Sequence, residues 1–272
     1  LRLELIQNTE VKPKETDLFK FLQTDDVNGL LGRQGERKPV VEKEPEEGEE
    51  ENGDNDDATT ATKSKKKKKS KQPVTQEPEF YPHLPHLSKL ADTLKSKEFR
   101  GFLEMKLGLN AGELIDRVDL SIQSYFQGHH LMSHDDVIST RKLTFVLYLS
   151  EPADAKGEKQ NALGKWTQEE GGGMELYLGE SNTTNSNRSA VPACTVPVAE
   201  LLPEFNTALI FGVEPGKSYH AVREVTSDNR MRLSVQGWFH VKSLEETYSS
   251  HKREEYATLS QLRGGGENQA SN

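Results

Sequence analysis

The sequence predicts an α+β protein that is mainly β, a sandwich or jelly roll preceded by helices. Short segments of alternating or wholly apolar character recur from residue 117 to residue 241, and Gly, Pro and Asn residues separate them. Many short strands joined by such turns are typical of these two architectures. Apolar residues at helical spacing lie upstream, so we expect helices at the N-terminal end to buttress the sheets.

The strand segments differ in their pattern of burial. In Arg117–Phe126, apolar residues alternate with polar ones, which indicates one buried face. Leu143–Leu149 is apolar on both faces, as expected of a central strand. The further segments with strand character are Met174–Leu178, Ala208–Val213, Tyr219–Val225 and Met231–Val241.

Leucine and phenylalanine spacing predicts the helices. Leucines recur at i, i+3 and i+7 from Leu87, and the spacing repeats from Phe99. This periodicity predicts one or two helices from about His86 to Leu107. Glycines follow and break the pattern.

Composition limits the class of protein. The chain has 272 residues, enough for one domain or one and a half with a substantial core. Its net charge of −9 provides no overall basic field for nucleic acid. Cys194 is the single cysteine, so there is no intrachain disulfide, and this suits a reducing compartment. No apolar run approaches the roughly 18 residues of a membrane span.

A strongly polar segment divides the chain. Residues 29–78 contain an acidic block followed by the lysine run Lys63–Lys71, and they have few apolar residues. Such a segment cannot bury enough apolar surface to offset its ordering entropy, so we predict a disordered acidic and Lys-rich insertion. Two interpretations stay open: a solvated insertion, or a patch for nuclear localisation or for contact with ribosomes or RNA.

The insertion defines the other boundaries. Residues 1–28 precede it, and in them Asp17–Asp26 permits an edge strand or a short helix. We expect this N-terminal segment to be a docking arm that only covers apolar surface. Residues 79–243 would form the folded β-rich domain, and residues 244–272 a C-terminal helix with a flexible tail.

A His-x-Asp triplet is the first candidate for metal chemistry. His134 and Asp136 lie two residues apart, and side chains at i and i+2 of an extended segment point the same way. His220 would complete two imidazoles and one carboxylate, a set that leaves positions on iron open. Asp135 is the competing carboxylate, and alternation favours Asp136. Arg232 adds a permanently charged fork that can hold a carboxylate bidentately.

The order of these motifs resembles a known family. His-x-Asp is followed by a long gap, a His and then Arg-x-Ser, in segments that read HDDVISTR, FVLYL, GGGMELYL, SYHAVREV and RLSVQGWFH. Together they resemble the iron- and 2-oxoglutarate-dependent prolyl hydroxylases, in particular the ribosomal-protein branch. The resemblance covers most of Glu79–Val241, with a further piece near the start. It implies a double-stranded β-helix, the cupin-like jelly roll, that forms an Fe(II)/2-oxoglutarate dioxygenase domain.

The resemblance assigns roles to individual residues. It implies that His134, Asp136 and His220 bind Fe(2+) and that no further catalytic residue is needed. The cosubstrate 2-oxoglutarate would be held by Arg232, Ser234, Tyr125 and Tyr148. The peptide substrate would be contacted by Arg141 and Trp238.

Structural alternatives accompany these roles. Arg232 could form a surface salt bridge, and Arg141 could face solvent. Each tyrosine, and likewise Trp238, could be a plain core residue. Five further histidines are expected to lie near the site or at the surface without binding metal; they are His83, His86, His129 and His130, with His240 in a structural role.

The implied reaction is hydroxylation of a prolyl residue with O2, 2-oxoglutarate and, as reductant, L-ascorbate. The family's members act on a small-subunit ribosomal protein and are linked to translation termination and the oxygen response, which implies a location in the nucleus or cytoplasm. One alternative is an oxygenase that acts on another protein or on nucleic acid. Another is a cupin-like, non-catalytic binding module that reaches RNA or ribosomes through Lys63–Lys71.

Overall fold

The computed structural model describes residues 1–36, 81–151, 165–178 and 196–243. Within these ranges it contains helices, strands and one 3-10 turn. In chain order they are α1 (Arg2–Asn8), β1 (Lys12–Thr16), β2 (Phe19–Gln23), α2 (Val27–Gly32), α3 (Pro85–Lys95), α4 (Lys97–Leu107), β3 (Leu114–Tyr125), β4 (His130–His134), β5 (Arg141–Tyr148), the 3-10 turn (Gln168–Glu170), β6 (Met174–Leu176), β7 (Ala199–Leu201), β8 (Thr207–Gly212), β9 (His220–Val222) and β10 (Arg232–Val241).

The strands form a curled antiparallel sheet. Its order is β7-β6-β9-β4-β2-β3-β10-β5-β8, and β1 pairs with β2 outside this path. One half, β7-β6-β9-β4, lies opposite the other half, β3-β10-β5-β8, and the two enclose an interior. This topology is the double-stranded β-helix, so the predicted jelly roll is confirmed.

Two hydrophobic clusters pack on opposite sides of β3, β10 and β5. The first joins these strands to the helices and includes Leu87 of α3, Ile122 of β3 and Val235 of β10. The second lies within the curled sheet and includes Tyr125, Tyr148 and Val222. Side chains alternate between the two faces of a strand. On β3, β10 and β5, every second side chain therefore packs against the helices, and the side chains between them face the interior of the curled sheet.

The predicted helical region forms two helices, α3 and α4. Ser96 separates them, and its hydroxyl accepts a hydrogen bond from the Phe99 backbone N–H at 3.2 Å as the N-cap of α4. Gly108 ends α4 in the left-handed conformation, with φ of 68°. Leu87, Ala91 and Leu94 bury one face of α3, as the leucine spacing predicts.

The N-terminal segment is part of the sheet, so the prediction of an arm that only covers apolar surface was wrong. β2 pairs with β4 through Phe19 and Lys20 and with β3 through Leu22 and Gln23. Phe19 and Phe21 are buried inside the sheet. β2 therefore joins the two halves of the double-stranded β-helix.

The insertion begins later than position 29. The first residues expected to be disordered lie in α2, and the Asp26 side chain caps this helix by accepting from the Gly29 backbone N–H at 3.2 Å. Beyond α2, the Gly35 N–H donates to the Tyr81 carbonyl at 3.0 Å and the Tyr81 N–H donates to the Glu36 carbonyl at 2.9 Å. Residues 29–36 thus belong to the folded domain.

Several predicted features lie outside the described residues. They are the remainder of the insertion, with Lys63–Lys71, and the C-terminal segment from residue 244. Among the helices that are described, none has the length and apolar character to cross a membrane.

Candidate active site

Three predicted ligands converge at one end of the sheet interior. His134 ends β4, His220 begins β9, and the two are register partners whose ring centroids lie 4.2 Å apart. Asp136 follows His134 in the connection to β5. One ligand atom from each of the three side chains lies within 4.8 Å of the others, and all three residues are buried. This is the donor arrangement that a single metal ion requires.

Backbone carbonyls orient both imidazoles. His134 Nδ1 lies 2.9 Å from the Met132 carbonyl oxygen, and His220 Nδ1 lies 2.8 Å from the Ser218 carbonyl oxygen. A carbonyl only accepts, so each Nδ1 carries a proton. In the neutral tautomer each Nε2 then offers its lone pair to the shared space, as in metal sites whose histidines are held by a second hydrogen bond.

The Asp136 carboxylate completes the set. Its Oδ1 lies 3.4 Å from His134 Nε2, its Oδ2 lies 3.4 Å from His220 Nε2, and the Thr144 hydroxyl donates to Oδ2 at 2.8 Å. Burial alone would raise the pKa of Asp136, but His220 and His134 hold it well below its usual range. Two imidazole nitrogens and one anionic oxygen form the facial set typical of non-haem Fe(II).

Asp135 is directed elsewhere. Its Oδ1 accepts from the Val137 backbone N–H at 3.2 Å, and its carbonyl accepts from the Ser218 hydroxyl at 2.7 Å. Burial raises the pKa of its carboxyl. Asp135 is not one of the converging ligands, and its contacts hold the loop that carries Asp136 against the loop before His220.

A second polar group lies further along the interior, around Arg232. This side chain is 1% exposed, which excludes the surface salt bridge considered above. Its Nε donates to the Gly172 carbonyl at 2.8 Å, and its guanidinium carbon lies 4.8 Å from the Tyr125 ring centroid and 5.1 Å from that of Tyr148. The sheet register places Ser234 directly beside Tyr148.

Several donors of this group lack protein partners. Within the described part of the chain, Arg232 Nη1, the Tyr148 hydroxyl and the Ser234 hydroxyl are buried without a hydrogen-bond partner. Buried polar atoms are rarely left unpaired, so such a cluster marks a ligand position. A cation with neighbouring hydroxyl donors is suited to a carboxylate.

Tyr125 and Tyr148 differ in the contacts of their hydroxyl groups. Burial raises the pKa of both Tyr125 and Tyr148, so both phenols are neutral donors at physiological pH. The Tyr125 hydroxyl donates to Gln123 Oε1 at 3.0 Å, and its ring stacks on Phe21 with centroids 5.3 Å apart. Tyr125 therefore forms a fixed wall of the group, while Tyr148 lies beside the Arg232 guanidinium.

The glycine run Gly171–Gly173 allows a backbone loop to pass close to β10. A Cβ at Gly172 would lie 3.3 Å from Cδ of Arg232, and one at Gly171 would lie 1.8 Å from the Glu224 carbonyl oxygen. Both residues have positive φ, 67° at Gly171 and 71° at Gly172. The close approach brings the Gly172 carbonyl within reach of Arg232.

Arg141 and Trp238 stack on each other. The Arg141 guanidinium carbon lies 3.4 Å from the Trp238 ring centroid, a cation–π contact. Both side chains are buried, so Arg141 is not the solvent-facing residue considered as an alternative. Trp238 is the register partner of Thr144, which bonds Asp136. The stacked pair therefore lies on the metal-ligand side of the interior.

His240, His130 and His129 do not join the converging set. His240 Nδ1 lies 3.0 Å from the Thr140 hydroxyl and its Nε2 lies 3.0 Å from Asp119 Oδ2, which is a structural role. His130 Nδ1 contacts the Gly128 carbonyl at 3.2 Å, and His129 packs edge-on against Phe126.

Several residues of the site were not predicted from the sequence; they are Phe21, Gln123, Thr144 and Gly172. Sequence signals existed for Thr144, a hydroxyl in the largely apolar run Leu143–Leu149, and for Gly172, the centre of the glycine run in GGGMELYL. Phe21 and Gln123 contribute through register, which no local pattern encodes.

Comparisons with known proteins agree with this geometry. Residues 120–240 match the model of the 2OG-Fe(II) oxygenase superfamily. The chain is 40% identical over 180 residues to a prolyl 3,4-dihydroxylase OGFOD1 from Ostreococcus tauri, covering 66% of this chain and 30% of that protein. It is 33% identical over 147 residues to a prolyl 3-hydroxylase OGFOD1 from Xenopus laevis, covering 54% of this chain and 24% of that protein. The chain thus matches less than a third of the length of these relatives.

Among solved structures, the chain is similar to a 2OG-Fe(II) oxygenase family oxidoreductase from Burkholderia pseudomallei, with a TM-score of 0.44, 14% identity and coverage of 87% of this chain and 75% of that one. It is also similar to a Pseudomonas putida prolyl-4-hydroxylase, with a TM-score of 0.39, 19% identity and coverage of 58% and 66%. The family match over residues 120–240 and the sequence identities to these relatives support the prolyl hydroxylase family of the 2OG-Fe(II) oxygenases for this part of the chain.

Proposed function

We propose that the domain is an Fe(II)- and 2-oxoglutarate-dependent dioxygenase that hydroxylates a prolyl residue of a protein. The observation that carries the proposal is the convergence of the buried His134, Asp136 and His220 side chains. The names of the similar proteins, prolyl 3,4-dihydroxylase and prolyl 3-hydroxylase, support prolyl hydroxylation.

The three converging side chains would hold Fe(2+). Their Nε2 and carboxylate atoms are the donors that this ion accepts, and the hydrogen bonds to Met132 and Ser218 fix both rings for binding. When bound, iron supplies the activation of O2 and the oxidation of a C–H bond. The chain contributes the ligand geometry and the burial of these side chains, and no protein general base is required.

Arg232 would anchor the distal carboxylate of 2-oxoglutarate. Its free Nη1 and the unpaired hydroxyls of Ser234 and Tyr148 supply donors to that carboxylate, while the Tyr125 ring limits where the guanidinium lies. Because these groups are buried, their electrostatic interactions are stronger than in water. The keto acid end would extend toward the iron ligands.

The peptide substrate would approach the stacked Arg141 and Trp238. Trp238 presents an apolar ring suited to a prolyl side chain, and Arg141 provides a charge for a peptide carbonyl or carboxylate. From the family resemblance we propose a small-subunit ribosomal protein as substrate, with a role in translation termination or the oxygen response. L-Ascorbate as reductant, RNA or ribosome contact through Lys63–Lys71, and a nuclear or cytoplasmic location are further parts of this proposal.

Succinate formation tests the activity. The chain would be incubated with Fe(II), 2-oxoglutarate, ascorbate and a proline-containing peptide of a small-subunit ribosomal protein, and the peptide's gain of one oxygen atom would be measured by mass spectrometry. His134→Ala should abolish turnover and weaken iron binding. His130→Ala is the matched control, since His130 lies on the same strand outside the converging set, and it should retain activity.

The outcomes separate the alternatives. Succinate formation without modification of the ribosomal peptide would favour an oxygenase with another protein or a nucleic acid as substrate, and substrate-trapping mass spectrometry would identify it. Iron uptake by a folded chain without any turnover would overturn the enzyme proposal in favour of the non-catalytic binding module.

A further inference from the structure

Thr144 is the only described side chain that makes a conventional hydrogen bond to the Asp136 carboxylate. Its hydroxyl donates to Oδ2 at 2.8 Å, and this bond is fully buried. The other carboxylate oxygen, Oδ1, is buried and has no hydrogen-bond partner among the described residues. The two oxygens of Asp136 are therefore not equivalent: Thr144 holds Oδ2 at 2.8 Å, whereas Oδ1 faces His134 Nε2 at the longer distance of 3.4 Å.

Asp136 needs such support because its backbone is unusual. It has φ of 62°, in the left-handed region that non-glycine residues rarely adopt. It follows β4 in the connection to β5, so no strand ladder fixes its side-chain direction. Thr144 lies within β5, in register with Trp238 on one side and Phe211 on the other. The hydroxyl is thus on a rigid strand, and it constrains a carboxylate on a loop.

We propose, on the basis of the proposed iron site, that Thr144 is a positioning residue that turns Asp136 so that Oδ1 alone is presented as a metal ligand. A hydroxyl has one proton to donate, and here it is directed at Oδ2. Ligation through one oxygen leaves an adjacent coordination position open, which a carboxylate bound through both oxygens would occupy. Carboxylates that bind metals are in turn hydrogen-bonded by neighbouring groups, and loss of such a partner weakens metal binding.

The test uses Mn2+ alone, without cosubstrate or turnover. Thr144→Val keeps the shape of the side chain and removes the hydroxyl, and Thr144→Ser keeps the hydroxyl. We expect Thr144→Val to bind Mn2+ about 10-fold more weakly and Thr144→Ser to recover most of the affinity. At saturating metal, water-proton relaxation by the bound Mn2+ should fall in Thr144→Val, because the released Oδ2 takes the place of a bound water.

Thr140→Val is the matched control. It removes a threonine hydroxyl that lies 3.0 Å from His240 Nδ1 and makes no bond to Asp136. Affinity and relaxation should both stay at the parent value, and circular dichroism would confirm that each variant is folded. Unchanged affinity and relaxation in Thr144→Val, an equal loss in Thr140→Val, or no recovery in Thr144→Ser would each overturn the inference while the proposed enzyme stands. Failure of the parent chain to bind Mn2+ would overturn both.

Discussion

Arg232 and Tyr125 are register partners on β10 and β3, and the Arg232 guanidinium carbon lies 4.8 Å from the Tyr125 ring centroid. The arginine is thus held between an aromatic ring and the Gly172 carbonyl, which accepts from its Nε at 2.8 Å. These contacts leave Nη1 buried without a hydrogen-bond partner among the described residues. The orientation of the guanidinium, and not only its charge, is set by the fold.

Arg232→Lys should therefore weaken use of 2-oxoglutarate although the charge is kept. Lysine lacks the planar fork and cannot bond Gly172 and a carboxylate together. We expect the KM for 2-oxoglutarate to rise roughly 10–100-fold, the range for loss of a hydrogen bond to a charged group, and Arg232→Ala to raise it further. Binding of Mn2+ alone should not change.

Arg223→Lys is the matched control for this substitution. Arg223 pairs with Glu200 at 3.4 Å, its side chain is 43% exposed, and it takes no part in the site. The KM of Arg223→Lys for 2-oxoglutarate should equal that of the parent. An unchanged KM in Arg232→Lys, measured by succinate formation, would contradict the role given to Arg232.

Phe21→Ala should lower both stability and cosubstrate affinity. Phe21 is 5% exposed and supports the Tyr125 ring from β2. Removal of a buried phenylalanine ring costs about 3–5 kcal/mol of unfolding free energy, which chemical denaturation would measure. Phe21→Leu should keep most of the stability and still raise the KM for 2-oxoglutarate, because the stacking partner of Tyr125 is lost.

Leu18→Ala tests whether the loss of stability expected in Phe21→Ala is specific to the buried ring. Leu18 is 43% exposed in the turn before β2, so its unfolding free energy should change by less than about 0.5 kcal/mol. If Phe21→Ala were equally mild, β2 would be a removable arm and not a strand of the domain.

The core strands could be predicted because their patterns are strong. The apolar run of β5 and the alternation of β3 mark buried strands without reference to any partner. β2 was not predicted as an integral strand, since its five residues hold only two inward phenylalanines. Its place between β4 and β3 depends on how the sheet curls, which is a long-range property.

In the candidate site, too, some features follow from the local sequence and others depend on long-range strand pairing. His134, Asp136 and His220 could be chosen from motif order, but their contact depends on the pairing of β4 with β9. The alternation argument favoured Asp136, which converges with His134 and His220, but alternation does not explain how it reaches them. β4 ends at His134, and Asp136 reaches the site through a left-handed turn and the Thr144 hydrogen bond. Neither the left-handed turn nor the hydrogen bond from Thr144 could be inferred from the spacing of residues in the sequence.

Gly171→Ala should destabilise the loop that carries Gly172. A Cβ there would meet the Glu224 carbonyl oxygen at 1.8 Å, so the backbone must move as well as accept a left-handed φ of 67°. We expect a loss of about 3 kcal/mol or more in unfolding free energy. Gly216→Ala is the control, since its φ is 71° with nothing within 4 Å, and only the backbone strain of about 1–2 kcal/mol should appear. Equal losses in the two variants would show that the close approach at Gly171 is absent.

Asp119 should make stability depend on pH below about 4. Burial would raise the pKa of Asp119, but the hydrogen bond and charge of His240, together with Arg117, lower it from 3.8 to about 2. A carboxyl with a lowered folded-state pKa stabilises the fold above its unfolded pKa, and this stabilisation is lost as the pH falls toward 2. The contribution is below about 2 kcal/mol, since the side chain is 33% exposed and water screens the pair.

Asp119→Asn removes this contribution. Its unfolding free energy should lie below that of the parent at pH 5 to 6, and the gap should close as both are acidified toward pH 2. Asp116→Asn on the same strand is the control, since Asp116 is exposed, and it should follow the parent curve. Denaturant titrations at each pH measure the gap. A gap that stays constant down to pH 2 would mean that Asp119 stabilises the His240 end of β10 through packing and not through its charge.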